Sequence, residues 1–167
     1  MAVQKIVLFP DSGLSIPSKP FDIKDQSHIH LVQDLWDTLN TSPGVGIAAP
    51  QIGQNIKVSV IDIARTKRKM KGTYHGRIIL INPELIGGSG IQIPREGCLS
   101  VPDLLANTQR FEKVTVINYG LDGAPYVLTS EGFEALALQH EMDHLNGLLF
   151  LDRVTNIKTD LFRRKSN

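Results

Sequence analysis

The 167 residues contain a single cysteine, Cys98. An intrachain disulfide is therefore excluded, and a reducing, cytoplasmic setting is the natural reading. No stretch approaches the roughly 18 consecutive apolar residues of a membrane span, so no membrane partner is expected. The first ten residues hold an apolar patch of only four, Ile6 to Phe9, too short for the core of a secretory signal, and no Arg/Ser-rich transit pattern precedes it. Neither sign of charge is in excess: the formal net charge is +1, which argues against a molecule that binds DNA or another polyanion with its whole surface. Repeats and low-complexity tracts are lacking. So is a phosphate-cradling loop, since the Gly-rich run Gly44 to Gln51 contains neither G-K-[ST] nor G-x-G-x-x-G.

What is present suits one folded domain. The hydrophobic fraction is 41% and the charged fraction 21%, and a chain of this length can bury a core without disulfides. Residues 1–26, with Pro10, Pro17 and Pro20, read as an extended, irregular segment. Residues 27–41 read as a helix, because Ile29, Val32, Leu35, Trp36 and Leu39 recur at helical spacing and Pro43-Gly44 stops it. The period then shortens. Ile56 to Ile63, Ile78 to Ile81, Ile91 to Ile93, Val114 to Tyr119 and Tyr126 to Leu128 read as strands, the last two joined at Asp122-Gly123. The basic stretch Arg65 to Arg77 reads as an exposed loop. Residues 131–146 read as a second helix, with Ser130 as N-cap and Gly147 just past its end. Strands between two helices, without strict β-helix-β alternation, predict an α+β class with mainly antiparallel sheets.

The second helix carries Gln139-His140-Glu141-Met142-Asp143-His144, which contains H-E-x-x-H. Helical positions i and i+4 share a face, so both imidazoles can reach one ion while the glutamate stands beside an activated water. Phe133, Leu136, Ala137, His140 and His144 fall on one stripe, which turns the histidines toward the apolar side. The bland alternative is two core histidines and a solvated glutamate, satisfied by partners other than a metal. A catalytic centre needs a third protein ligand, and the candidate is Cys98 in Glu96-Gly97-Cys98-Leu99-Ser100. Against that stands the ordinary role of a lone cysteine as a small buried hydrophobe. In Gly44-Val45-Gly46-Ile47-Ala48-Ala49-Pro50-Gln51 the small residues permit close backbone approach, and Gln51 can donate to an oxyanion; a helix-ending turn explains the same glycines.

Together these three segments resemble the ordered motifs of the peptide deformylases, G-x-G-[LI]-A-A-x-Q, E-G-C-L-S and Q-H-E-x-D-H. The likeness runs from Leu8-Phe9-Pro10-Asp11 through Phe150. It implies an α+β fold in which antiparallel sheets surround the helix bearing the two histidines, residues 1–167 forming a single catalytic domain. It implies hydrolysis of the formyl group from N-formylmethionine at the start of new polypeptides, with release of formate. By matching position, Cys98, His140 and His144 would bind one divalent metal ion, Fe²⁺ in the family, with Zn²⁺, Ni²⁺ or Co²⁺ as replacements in vitro. Glu141 would be the general base and acid, and Gln51 and the Leu99 N–H the oxyanion hole. Val45, Gly46, Phe133, Leu136 and Ala137 would line the methionine pocket. Gly97 would leave room beside the metal, Asp143 could orient an imidazole or equally stand as a solvated helix charge, and Glu96 and Arg110 could pair to hold the Cys98 loop.

One departure concerns peptide recognition. Where many bacterial members carry an arginine after the E-G-C-L-S motif, this chain has Leu105. Leucine donates no hydrogen bond, so weaker backbone recognition, visible in KM, is expected. The basic tail 158–167, with Lys158, Arg163, Arg164 and Lys165, is a candidate for salt-sensitive docking to the ribosome. Two rival readings are a zinc peptidase, which usually takes a downstream Glu or His as third ligand, and a non-catalytic binding relative. No histidine follows His144, and Glu141, Gln51 and all three ligand candidates are present.

Overall fold

The computed structural model describes residues 2–68 and 74–165. The irregular N-terminal segment leads into helix α1, Gln26–Asn40, capped by the Asp25 carboxylate, which accepts from Ser27 N. Its apolar residues do what their spacing predicts: Leu31, Val32, Leu35, Trp36 and Leu39 are buried.

Nine strands follow among the described residues: β1 Gly46–Ala48, β2 Val58–Asp62, β3 Arg77–Ile81, β4 Glu84–Ser89, β5 Arg95–Cys98, β6 Val101–Asn107, β7 Lys113–Tyr119, β8 Pro125–Glu131 and β9 Leu161–Arg163. They form three antiparallel sheets, ordered β1-β2-β3, β4-β7-β8 and β5-β6-β9. Helix α2, Gly132–Leu145, continues directly from β8, and a one-turn helix α3, Ile157–Asp160, precedes β9. The α+β class with antiparallel sheets is thus the observed one.

Strand β2 explains how α2 comes to be central. Val58 and Val60 pack into the cluster that contains Leu35 and Leu39 of α1. Ile61, with Leu80 of β3, packs instead against Ala135, Leu138 and Met142 of α2. The sheet therefore lies between the two helices and is buried on both faces, which is why β2 reads as a nearly unbroken apolar run. A third cluster joins Leu14, Cys98, Val101, Ala106, Leu149 and Phe150. Truncating Leu35 or Leu138, both fully buried, to alanine would cost about 2–5 kcal/mol.

Several local expectations change. Helix α2 is not amphipathic: residues 134–139 and 141–145 are buried on every side except at His140, so its polar residues also face protein. Ser130 is not its N-cap but the penultimate residue of β8, and its hydroxyl donates to Glu134 Oε1. The cap position is Glu131, without a side-chain bond, and Gly132 at φ +60 makes the strand-to-helix turn. Ile91 to Ile93 is not a strand. Only the bridge between Gln92 and Arg110 forms, and both isoleucines stay exposed because no second strand covers them.

Residues 69–73 of the basic stretch lie outside the described residues. Its two ends are not simply solvated. Arg65 donates to the carbonyls of Ser42 and Gly44, pinning the α1–β1 connection, and Arg77 stacks on Trp36 at 4.0 Å. Nor are residues 158–165 a loose tail, since β9 pairs with β6, Leu105 opposite Phe162; residues 166–167 lie outside the described residues.

Candidate metal and catalytic site

Three elements meet at one point. The turn between β5 and β6 brings Cys98, α2 brings His140, Glu141 and His144, and a single 3₁₀ turn after β1 brings Gln51. The possible ligand atoms of Cys98, His140 and His144 all lie within 4.8 Å of one another. Cys98 Sγ is 3.3 Å from His144 Nε2, and the two imidazoles stand edge to face with centroids 5.0 Å apart. One thiol and two imidazoles converging from two elements are a soft, closed set of three donors, the kind that holds a transition-metal ion with a position left open.

The surroundings aim those donors. His140 Nδ1 meets Glu96 Oε2 at 2.7 Å, leaving the opposite ring nitrogen for the cluster. Glu96 is buried and also holds Arg110 through Nε at 2.6 Å and Nη2 at 3.1 Å, and Thr108 Oγ1 donates to it. Arg110 reaches on to Asp143 at 2.6 Å, and Asp143 takes two more bonds from Arg153. A continuous relay of alternating charge thus runs behind the cluster. Burial opposes the Glu96 charge, but hydrogen bonds from His140 and Arg110 overcome it and hold the carboxyl at about 2.

Glu141 is the opposite case. It is buried, and its Oε2 makes no hydrogen bond among the described residues. Burial raises its carboxyl to about 7, against the pull of His140. Gly46 leaves the space for it, since a side chain at 46 would meet Glu141 Oε1 at 2.5 Å. His144, fully buried with Nδ1 unpartnered, is held neutral by burial. His140 is pushed upward: burial works against its charge, but bonding to Cys98 and Glu96 prevails. A proton and a metal ion would compete for that imidazole.

Gln51 is locked. Its Oε1 accepts from Ala48 N at 2.9 Å, and its Nε2 donates to Ser100 Oγ at 3.1 Å and toward Cys98 Sγ at 3.4 Å. The amide is therefore oriented with its N–H groups toward the cluster.

A cavity of about 400 Å³ opens beside these groups. Cys98, His140, Glu141 and Gln51 line its polar end, and Val45, Gly46, Leu99, Phe133, Leu136 and Ala137 its other walls. The ligand, base, oxyanion and pocket candidates read from the sequence thus gather at one site, His144 within reach of the other two ligand candidates though not among the cavity's lining residues. Two supporting roles differ. Asp143 touches no imidazole and is tied to Arg110 and Arg153. Gly97 makes room for Arg164 and Leu105, whose side chains a Cβ there would strike. Thr108, Arg153 and the arginines at the mouth, Arg68, Arg95 and Arg164, were not foreseen. Only the fold brings them near, although Arg95 adjoins the Cys98 motif.

An α+β fold wrapped around a helix with two histidines, closed by a cysteine able to complete a metal cluster, defines a metallohydrolase type of enzyme. Comparison with known proteins narrows this. The family model for polypeptide deformylase matches residues 3–160. A peptide deformylase of Desulfotalea psychrophila is 39% identical over 165 residues, covering 99% of this chain and 95% of the relative. The crystal structure of a Legionella pneumophila peptide deformylase superposes with a TM-score of 0.83 at 41% identity, covering 94% of this chain and 89% of that one. One from Ehrlichia chaffeensis gives 0.84 at 32% identity, covering 94% and 90%. The chain belongs to the polypeptide deformylase family, enzymes of protein biosynthesis that hydrolyse the N-terminal formyl group. Among the described residues no helix is long and apolar enough to cross a membrane.

Proposed function

We propose that residues 1–167 act as one catalytic domain that deformylates N-formylmethionyl nascent chains in the cytoplasm, with Cys98, His140 and His144 holding a divalent ion, Fe²⁺ by family habit. When bound, the ion acidifies water toward neutrality and polarises a carbonyl oxygen. The chain's own residues do the rest. Glu141 takes the proton from the attacking water at its free Oε2 and returns it to the departing amine, a role suited to a carboxyl near 7. The Gln51 amide and the Leu99 N–H donate to the oxyanion formed at the formyl carbon, a contribution of about 3 kcal/mol per donor. Val45, Gly46, Phe133, Leu136 and Ala137 take the methionine side chain. Glu96 fixes His140 and acts only through it.

The observation that carries this reading is the buried Glu141 carboxylate, its Oε2 without a hydrogen bond among the described residues, in the same cavity lining as Cys98 and His140 of the Cys-His-His cluster. The experiment is metal analysis with formate release on anaerobically purified protein, using formyl-Met peptides against unformylated ones. Stoichiometric metal with formate release from the formylated peptide alone is expected. Peptide-bond cleavage, or bound metal without turnover, would refute it. Docking at the ribosome would run through the exposed Lys158, Arg163 and Lys165. It is best tested by reversing their charge and measuring co-sedimentation at low salt, because truncation would remove β9. Unchanged co-sedimentation would end that idea.

A further inference from the structure

Apart from Arg163, the arginines of this chain divide into two sets. Arg65, Arg77, Arg110 and Arg153 are each tied to a carboxylate or to backbone carbonyls. Arg68, Arg95 and Arg164 line the cavity, come from three distant segments, are exposed, and have no carboxylate partner among the described residues. They are nonetheless held in place. Arg68 lies over the Phe133 ring at 4.7 Å and donates to the Arg95 carbonyl at 3.4 Å. Arg95 stacks on Phe162 at 4.0 Å. Arg164 is fixed by its backbone N–H to the Asp103 carbonyl at 2.9 Å, and its guanidinium covers Gly97.

Cations stacked on aromatics lose little freedom when they gain a partner, and a guanidinium fork matches a carboxylate in two hydrogen bonds. The carboxylates lining the cavity offer these arginines no answer: Glu96 is committed behind the cluster, and Glu141 sits at the inner end. Arg68 lies against Phe133, one of the apolar walls, and all three arginines are exposed residues of the same cavity lining. A peptide with its first side chain against those walls must lead its following residues out past three unanswered positive charges.

We infer that the rim selects formylated chains carrying aspartate or glutamate in the residues just after the methionine. This rests on the deformylase roles proposed above and adds a substrate class to them. Each exposed pair is worth about threefold and the set about tenfold, greater at low salt.

The test uses the metal-loaded enzyme and C-terminally amidated peptides, so that no terminal carboxylate mimics the side chain. Formyl-Met followed by two aspartates is compared with the two-asparagine and two-lysine analogues. The expected result is a kcat/KM order of Asp over Asn over Lys, about tenfold between the extremes, carried by KM and shrinking with added salt. Arg164→Glu and Arg95→Glu should each reduce the Asp preference or invert it. Direct binding of fluorescent, already deformylated peptides should follow the same order. Equal kcat/KM for the Asp and Asn peptides at low salt would overturn the inference while formate release upheld the catalytic reading. A preference untouched by either reversal would overturn it too. No formate from any peptide would overturn both.

Discussion

The inner end of the cavity and its rim are built on opposite rules. Around Cys98 the charges are answered in turn, from buried Glu96, Arg110 and Asp143 out to Arg153 at the surface. At the rim, three guanidiniums are exposed and have no carboxylate partner among the described residues. Inside, Glu141, whose Oε2 has no hydrogen bond among the described residues, is the group proposed to exchange a proton. Over-determined geometry suits a reaction that never changes, whereas unanswered charge suits a contact made anew with each substrate.

That contrast can be broken at either end. The most severe change is Cys98→Ala, which leaves two ligands and should reduce bound metal to well below one equivalent. Elemental analysis checks this, and full tight occupancy would remove the thiol from the cluster. Glu141→Gln should keep the metal and lower kcat about 10²- to 10⁴-fold. In the native enzyme, kcat/KM should fall as pH drops below about 7 and Glu141 gains a proton, the limb shifting lower to the extent that a bound cation favours the carboxylate. Turnover of the variant near the native rate would exclude the role.

Glu96→Ala removes one of the two carboxylates that hold buried Arg110 and should destabilise the protein by about 1–3 kcal/mol, read from urea unfolding. The pH dependence has a definite sign. The folded carboxyl, at about 2, lies below its ordinary 4.5. Its stabilisation is therefore complete above the ordinary value and lost as pH falls through about 2, and the variant should lack that part of the acid slope. The smallest effect is expected at the rim. Because Arg164 already stands beside Leu105, Leu105→Arg should change KM for a formyl-Met tripeptide by less than about threefold, with kcat unaltered. A drop of tenfold or more would mean that the peptide backbone lacks a donor there, as the sequence on its own suggests.

The inner end was largely legible in the sequence because its residues stand in short motifs at fixed spacing: His140 and His144 one helical turn apart, Glu96 two residues from Cys98. Helix α1 was legible from its apolar period. The rim was not, since Arg164 reaches the cavity only after β9 pairs with β6 across more than fifty residues. Strand β4 was hidden by Gly87-Gly88 and the register shift beside them, and β6 by Pro102. Residues 91–93 misled in the other direction, because alternating isoleucines satisfy strand spacing without a neighbouring strand to pair with. Asp143 read as an imidazole partner or a solvated charge, because one sequence cannot tell that Arg110 and Arg153 take its carboxylate.

The pairing of β9 with β6 has a practical consequence at the bench. Arg164 directly follows β9, and its guanidinium covers Gly97 beside Cys98. At roughly 3.3–3.6 Å per extended residue, a polyhistidine tag joined three residues after Arg164 begins within about 15 Å of the rim. Its imidazoles could enter the cavity, compete for the ion and crowd the guanidiniums, so that metal content and peptide preference would both report on the tag. A tag joined ahead of Ala2 is the safer choice, because Ala2 is tethered to Asp34 of α1 and is not among the described residues that line the cavity.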